Sequence, residues 1–315
     1  FNIASEMFHI VSGTGTFLRG YERYGSGSMS KFYAPEILKR VQNEEMGILK
    51  DFIAVCEENN LRYFAIAGTG IGAVRHGGFI PWDDDIDVAM PRADFEKAMA
   101  IIEEKYSDKY YILNGAHDSR YPLMTTRLCI RNTRFVEEAV KDVDCPFGIF
   151  LDLYAYDNLA DGKFAYHWQV WTAWFWSKLL ILRSVPHPYI GLTGWKYSVA
   201  QGICAFVHGA MKVLHISPSW LNRRCLHQCR KYENVETKRM GYPCDTDPNW
   251  NTVLKEDIYP VQEYKFEDIM LKFPHNLDAM LRNFYGDYMV MPPEDKRKTH
   301  YPHILDFGDG INVAE

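Results

Sequence analysis

The sequence has no CxxC pair, and its seven cysteines are an odd number. A secreted disulfide framework is therefore disfavoured, and the cysteines read as reduced thiols of a cytoplasmic protein. A cationic surplus is missing too. The net charge of −6 and a pI near 6.0 exclude a nucleic-acid binder that relies on a broad basic surface. No secretory leader pattern is visible. The most apolar run, WQVWTAWFWSKLLIL at 168–182, is interrupted by Gln169 and Lys178 and falls short of the roughly 20 residues a bilayer span needs. It reads as a buried or interfacial helix, which leaves peripheral membrane contact open but not a transmembrane segment. Zinc is the remaining question for the cysteines. Cys225 and Cys229 flank His227, but two further ligands at suitable spacing are not evident nearby, so core thiols are the expectation. No internal repeat is present.

What the chain does have is length and apolar content. With 315 residues, 47% of them hydrophobic, it can bury a sizeable core in one large domain or two small ones. The first 28 residues look foreign to the rest: FNIASEMFHIVSGTGTFLRGYERY is followed by GSGS and then Met29. A Gly-Ser linker before a methionine predicts a joined peptide (residues 1–28) ahead of a catalytic domain at 29–315, the alternative being a vector-derived scar. Beyond it, Pro35 suits a helix start and an approximate apolar face runs from Ile37 through Cys56. Strands are expected at Leu61–Ala67, Ile86–Met90, Tyr110–Asn114, Leu123–Arg131 and Gly148–Tyr154, with helices at Ile71–Arg75 and Arg92–Tyr106. Residues 164–184, 194–215 and 219–232 read as three helices of an insertion spanning about 162–240. A polar, irregular piece (241–252), a short helix at Leu277–Tyr285 and a loop-like tail complete the pattern.

Residues 81–92, PWDDDIDVAMPR, place four carboxylates within five positions at the start of a strand. Alternation puts Asp85 and Asp87 on one face, with Ile86 and Val88 opposite in the core. Two clustered carboxylates at a strand end are costly unless a cation neutralises them. Hard divalent cations prefer such oxygen ligands and leave positions for water and substrate phosphate. The bland alternative is a solvated acidic loop, and DxD alone is too short to exclude it. Upstream, Gly68-Thr69-Gly70 reads as a turn whose backbone N–H groups approach phosphate before a helix N-terminus. A third carboxylate, Asp152, lies in another alternating strand, GIFLDLY. The order strand, Gly-rich turn, helix, DxD strand, later Asp strand predicts an α/β (α+β) nucleotidyltransferase-like mixed sheet flanked by helices.

The wider run AGTGIGAVRHGGFIPWDDDIDVAMPR (67–92) closely resembles the LicD family, as do GIFLDLYAYD (148–157), YPVQEYKFEDI (259–269) and YGDYMVMPPEDKRKTHY (285–301). The resemblance covers essentially Met29–Tyr301. It implies transfer of a phosphorylated alcohol, typically phosphocholine, from its CDP derivative to an acceptor hydroxyl, with fukutin-like relatives using CDP-ribitol. Carried over, Asp85 and Asp87 become metal ligands, and Asp152 the third acidic residue, binding metal or accepting the hydroxyl proton. One or two Mg²⁺ are implied, with Mn²⁺ an alternative. Gly68, Thr69 and Gly70 would meet donor phosphate, with Arg75 and His76 as further diphosphate contacts. Asp83 and Asp84 would stabilise the turn. The basic cluster Lys296, Arg297, Lys298 and His300 would fold over the donor, against the alternative of a solvated surface.

Choline cannot donate an N–H hydrogen bond, so aromatic faces hold it. Trp82, Tyr154 and Tyr156 are the cage candidates, most of the other tryptophans being expected in the core. The family's usual acceptor is a cell-surface glycan. The joined peptide instead suggests a peptide acceptor, with Ser12, Thr14, Thr16, Tyr21 and Tyr24 offering hydroxyls and FHIV able to add to a sheet edge, or else a leader that the enzyme recognises. Two rival classes remain: a nucleotidyltransferase that moves NMP, and a catalytically silent binding protein.

Overall fold

The computed structural model describes residues 32–188, 190, 192–294, 297 and 299–314. The joined peptide with its candidate acceptors Ser12, Thr14, Thr16, Tyr21 and Tyr24, and the basic residues Lys296 and Lys298, lie outside the described residues.

A long first helix, α1 (Pro35–Glu58), starts with proline in its first turn, where no intrahelical N–H is needed. It buries Val41, Ile48, Leu49 and Phe52 against the sheet. After β1 (Phe64–Ala65) the chain turns directly into α2 (Ala67–His76), then β2 (Asp87–Pro91) and α3 (Arg92–Lys105). Three strands follow, β3 (Tyr110–Leu113), β4 (Thr126–Ile130) and β5 (Arg134–Glu137), before the ten-residue β6 (Phe150–Leu159). The insertion supplies α4 (Lys163–Ser184), α5 (Gly194–Val213) and α6 (Pro218–Cys229). Strands β7 (Arg239–Tyr242) and β8 (Asn251–Leu254), helix α7 (Lys255–Ile258), the hairpin β9 (Gln262–Phe266) and β10 (Ile269–Phe273), helix α8 (Leu277–Tyr285) and β11 (Pro302–Asp306) complete it.

The sheet is mixed and has seven strands, in the order β1-β2-β6-β4-β3, with β7 and β8 added along the far half of β6. Strands β2 and β6 run parallel and all other pairs in this sheet are antiparallel. Both faces of the sheet are covered. Ile86, Val88, Met90, Leu151 and Leu153 pack on α1, α3, the β9–β10 hairpin and α8. On the opposite face Ala89, Tyr154 and Tyr156 pack on Ala173 of α4 and Cys225 and Cys229 of α6. A central strand buried on both faces explains why LDLYAYDNL carries so few exposed positions.

Three expectations are corrected. The strand expected over Leu61–Ala67 is only two residues long, because α2 begins at Ala67 and takes the glycines into its first turn. The polar stretch at 241–252 is not irregular throughout; its ends belong to β7 and β8, with β7 paired to β6 and β8 to β7, and the first of these contacts is one that local sequence does not display. The tail is not all loop, since β11 pairs antiparallel with β5, Pro302 opposite Glu137. That pairing draws residues 299–301 back to the head of β2.

Arg92, the first residue of α3, donates two hydrogen bonds to Asp157 of β6, at 2.9 and 2.7 Å. Both groups are largely buried. Burial pushes the Asp157 carboxyl up to about 6 even with the guanidinium beside it. Removing the cation leaves that carboxylate unpaired, so Arg92→Met should cost about 3–5 kcal/mol in urea unfolding. Adding Asp157→Leu should recover most of the loss. A cost under about 1 kcal/mol for Arg92→Met would mean that the pair does not anchor α3.

Candidate active site

Parallel register sets the centre of the site. Asp87 of β2 lies opposite Asp152 of β6, and the Asp152 N–H donates to the Ile86 carbonyl. Asp85 lies two residues before Asp87, on the turn that leads into β2. All three carboxyl groups are buried. Asp87 and Asp152 each have one fixed side and one bare one. The Tyr154 hydroxyl donates to Asp87 Oδ1 at 3.1 Å, and Arg127 Nε donates to Asp152 Oδ1 at 3.2 Å. Asp85 Oδ2, Asp87 Oδ2 and Asp152 Oδ2 have no hydrogen-bond partner.

A fourth buried carboxylate comes from α1. Glu45 is fully buried and both of its oxygens lack a hydrogen-bond partner. Burial pushes its pKa well up, with the charges of Asp85, Asp84, Asp83 and Asp152 adding to the shift. Sequence reasoning passed over it, although it held a signal. The apolar face of α1 runs Val41, Ile48, Leu49, Phe52, and Glu45 falls on that face with the neighbouring Gln42, where a solvated residue does not belong.

The cations opposing these charges are few. Arg127 of β4 is fully buried between Glu137 (3.1 Å) and Asp152 (3.2 Å); burial disfavours its charge, but those two carboxylates hold it firmly on. His300 Nδ1 lies 3.2 Å from Asp84 and 3.5 Å from Asp85. Burial again works against the charge, and Asp85 and Asp84 outweigh it, raising the imidazole pKa well above its usual value. Arg127 and Glu137 were not among the residues singled out from sequence, because a single Arg in a β-strand carries no pattern. Desolvation pushes Asp85 up to about 6 and Asp152 up to about 7, and raises Asp87 and Asp83 well above the carboxylate range. The bare oxygens of Asp85, Asp87 and Asp152 are a donor set of the kind a hard divalent cation takes, so the residues present fit Mg²⁺, with the bare Glu45 carboxyl beside them.

Helix α2 meets this cluster end-on. A Cβ on Gly68 would come within 2.9 Å of Asp83 Oδ2, so glycine lets the Asp83 carboxyl lie directly against the helix. The Asp87 N–H donates to Thr69 Oγ1 at 2.9 Å. Thr69 therefore locks α2 to the head of β2, and Gly70 packs beside Leu277 and Leu281 of α8. The Gly-Thr-Gly segment is the first turn of the helix itself, where N–H groups are unsatisfied by the helix and attract anions. At its other end, Arg75 donates to the Tyr288 carbonyl at 2.6 Å and to His76 Nε2 at 2.9 Å. Both side chains thus engage each other and the α8 segment, while Arg75 also feels the charge of Asp83.

Asp84 acts as a tether. It accepts from Tyr33 (2.5 Å), from Thr299 (3.4 Å) and from the His300 N–H (3.0 Å), which fixes the tail segment against the acidic loop. Trp82 carries the Arg297 guanidinium over its ring, 4.7 Å from the centroid, so a cation already occupies one face. Tyr154 and Tyr156 are fully buried, their hydroxyls bound to Asp87 and Asn251 and their rings edge-on to Tyr242 and Phe64. The tryptophans depart from expectation: Trp168, Trp171 and Trp195 are exposed rather than core. Apart from this site, the fold brings Cys244 against Cys225 and Cys229, with sulfur separations of 3.4 and 3.7 Å, whereas His227 is exposed. The three thiols share the core with Ala173, whose carbonyl accepts from Cys225 Sγ.

Buried acidic strand heads on a mixed sheet, faced by a helix N-terminus, are the arrangement expected of a nucleotidyltransferase-type fold. Comparison agrees with that class: residues 60–138 match the family model described as "LicD/FKTN/FKRP, nucleotidyltransferase domain", and the chain carries a LicD-family domain. A "Lipopolysaccharide cholinephosphotransferase LicD" of Haemophilus influenzae is 26% identical over 266 residues, which cover 81% of this chain and 92% of that protein. Uncharacterized proteins of Rickettsia prowazekii and Rickettsia typhi are each 43% identical over 47 residues, 15% of this chain and 18% and 15% of theirs.

In metal-free protein, buried carboxylates with raised pKa values bind more protons folded than unfolded, so stability falls as pH rises. Asp85 and Asp152 place that fall between about pH 4 and 7. Melting in EDTA should therefore be higher near pH 5 than near pH 7.5, and Asp87→Asn should raise the melting temperature at neutral pH by a few degrees, roughly 1 kcal/mol. Mg²⁺ should then stabilise the native protein but not the variant. A variant that melts lower in EDTA and still responds to Mg²⁺ would contradict the carboxylate repulsion.

Proposed function

We propose that this protein transfers phosphocholine, or a similar phospho-alcohol, from a CDP-alcohol to an acceptor hydroxyl and releases CMP. The observation that carries the reading is the set of bare, buried oxygens on Asp85, Asp87, Asp152 and Glu45 beside the N-terminus of α2. Similarity to the Haemophilus cholinephosphotransferase supports the choice of alcohol. Asp85, Asp87 and Asp152 would hold Mg²⁺, which when bound neutralises charge on the diphosphate oxygens. The first-turn N–H groups of α2 orient the diphosphate against these carboxylates. The acceptor oxygen attacks the phosphorus that bears choline, a new O–P bond forms, and the P–O bond to CMP breaks in line. Glu45, with both oxygens unpartnered, takes the hydroxyl proton. Arg127 keeps Asp152 in place, and His300, fixed by Asp84, screens Asp85 from water. The acceptor is proposed to be a hydroxyl of the N-terminal peptide. A glycan acceptor is the second reading, favoured by the lipopolysaccharide in the Haemophilus protein's name.

Incubation with CDP-choline and Mg²⁺, followed by intact and fragment mass measurement, tests this. The expected result is one phosphocholine unit gained by an acceptor hydroxyl and CMP released, in residues 1–28 if the peptide is the acceptor. Asp85→Asn should lose nearly all turnover. Glu45→Gln should lower kcat about 10²–10⁴-fold while leaving Mg²⁺-induced stabilisation intact. A gain of CMP mass instead would make the protein a nucleotidyltransferase; wild-type turnover in Asp85→Asn would remove the metal role.

A further inference from the structure

The helical insertion has a charge pattern unlike the rest of the chain. Residues 162–232 contain nine Lys and Arg and no Asp or Glu, whereas the remaining 26 Lys and Arg are set against all 41 acidic residues. An acid-free run of this length within an acidic protein is a sharp local reversal of sign. Lys163, Lys196, Lys212, Arg223 and Arg224 are exposed, and none forms an ion pair among the described residues. Outside the insertion, by contrast, Lys39, Lys50, Lys105, Lys109, Lys141 and Lys272 each meet a carboxylate within 4 Å.

The same helices expose large apolar groups. Helix α5 buries only Ala200, Cys204, His208 and Met211, a narrow stripe of one residue per turn. Its other sides are apolar as well: Trp195 is 74% exposed and Phe206 75%, with Val199 and Ile203 between them at one-turn spacing. On α4, Phe164, Trp168, Trp171 and Phe175 repeat at helical spacing and are all exposed. A helix that is apolar beyond its buried stripe requires a second apolar environment. Tryptophan with flanking lysine is the residue chemistry of a membrane–water boundary, where the ring sits among headgroups and the cation reaches lipid phosphate. Along α6, Arg223, Leu226, His227, Arg230 and Lys231 line an open cavity of about 520 Å³, cationic on most sides. No single helix among the described residues is long and apolar enough to cross a bilayer; α5 and the segment after it reach that length and apolarity only as a pair bent by 108°. The exposed aromatics of α4 and α5 with their flanking cations are the pattern of helices that lie on a bilayer.

We infer that the insertion docks the protein on an anionic lipid bilayer, with the exposed aromatic residues of α4 and α5 entering the headgroup layer and the unpaired cations binding lipid phosphate. The charge reversal selects this occupant. A second copy of the chain would set these unpaired cations against their own like charges, and a zwitterionic surface would leave them unmatched.

Flotation of the full chain with vesicles tests the inference. Binding is expected to phosphatidylcholine vesicles containing about 30% phosphatidylglycerol, and much less to phosphatidylcholine alone. Tryptophan emission should shift to shorter wavelength on binding, and salt should weaken it. Trp195→Glu/Phe206→Glu should abolish flotation. Lys196→Gln/Lys212→Gln should weaken it by about tenfold or more. These positions are exposed and remote from the carboxylate cluster, so both variants should keep the native circular dichroism and the native response to Mg²⁺. The inference is overturned if the native chain ignores anionic vesicles at low salt. It is also overturned if the double glutamate variant still floats, or if light scattering shows a dimer that the glutamates disperse while vesicles have no effect.

Discussion

Mutual repulsion among buried carboxylates is the constraint around which the rest of the molecule is arranged. Parallel pairing of β2 with β6 forces Asp87 and Asp152 side by side, and the turn before β2 adds Asp85. Glu45 arrives from the opposite element, α1. Among the described residues two cations meet them, the buried Arg127 and the half-buried His300, and each is shared with a second carboxylate, Glu137 or Asp84. Full neutralisation by arginine would give a more stable protein. Leaving an oxygen of Asp85, Asp87 and Asp152 without a hydrogen bond instead maintains a strong negative field at the head of the sheet. Much of the surrounding structure serves to contain this cost. Thr69 locks α2 to β2, Tyr154 holds Asp87, and the tail strand β11 brings His300 to the acidic loop.

How much of this was legible in the sequence depends on the range of the interaction involved. The helix at Pro35–Glu58, the helices of the insertion and the strands with Asp87 and Asp152 were readable because periodicity and proline or glycine punctuation are local. So were Asp85, Asp87 and Asp152 as one group. The first turn of α2 was misread because glycines usually mark turns. Here Gly68 leaves room for the Asp83 carboxyl against the helix, and only the folded neighbour reveals that. β7 was missed for a similar reason: its pairing with β6 spans about eighty residues of chain and overrides weak local propensity, and β8 forms on β7 in turn.

The missed site residues follow the same rule. Glu45 left a trace, as an acid on an apolar helical face, and a stricter accounting of that face would have found it. Arg127 left none. Its meaning lies in the register that sets it beside Asp152 and in the fold-back of β5, which brings Glu137 to its other side. Asp84 was assigned to the turn and proves to be the anchor of the tail, which is also a long-range role.

The insertion adds a different kind of constraint. Its helices cover the face of the sheet that bears Tyr154 and Tyr156, so one side of α4 and α6 is committed to the core. That commitment fixes which residues are left outside. On α4 the inner positions, such as Val170, Ala173 and Trp174, leave Phe164, Trp168, Trp171 and Phe175 facing out. A protein free to choose would place polar residues there, as α3 does with its glutamates and lysines. Keeping aromatics there and excluding every acidic residue from the same helices costs solubility, and a bilayer surface is the setting in which that composition becomes favourable. Because the same helices pack on the strand that carries Asp152, whatever holds them also sets the orientation of the catalytic face.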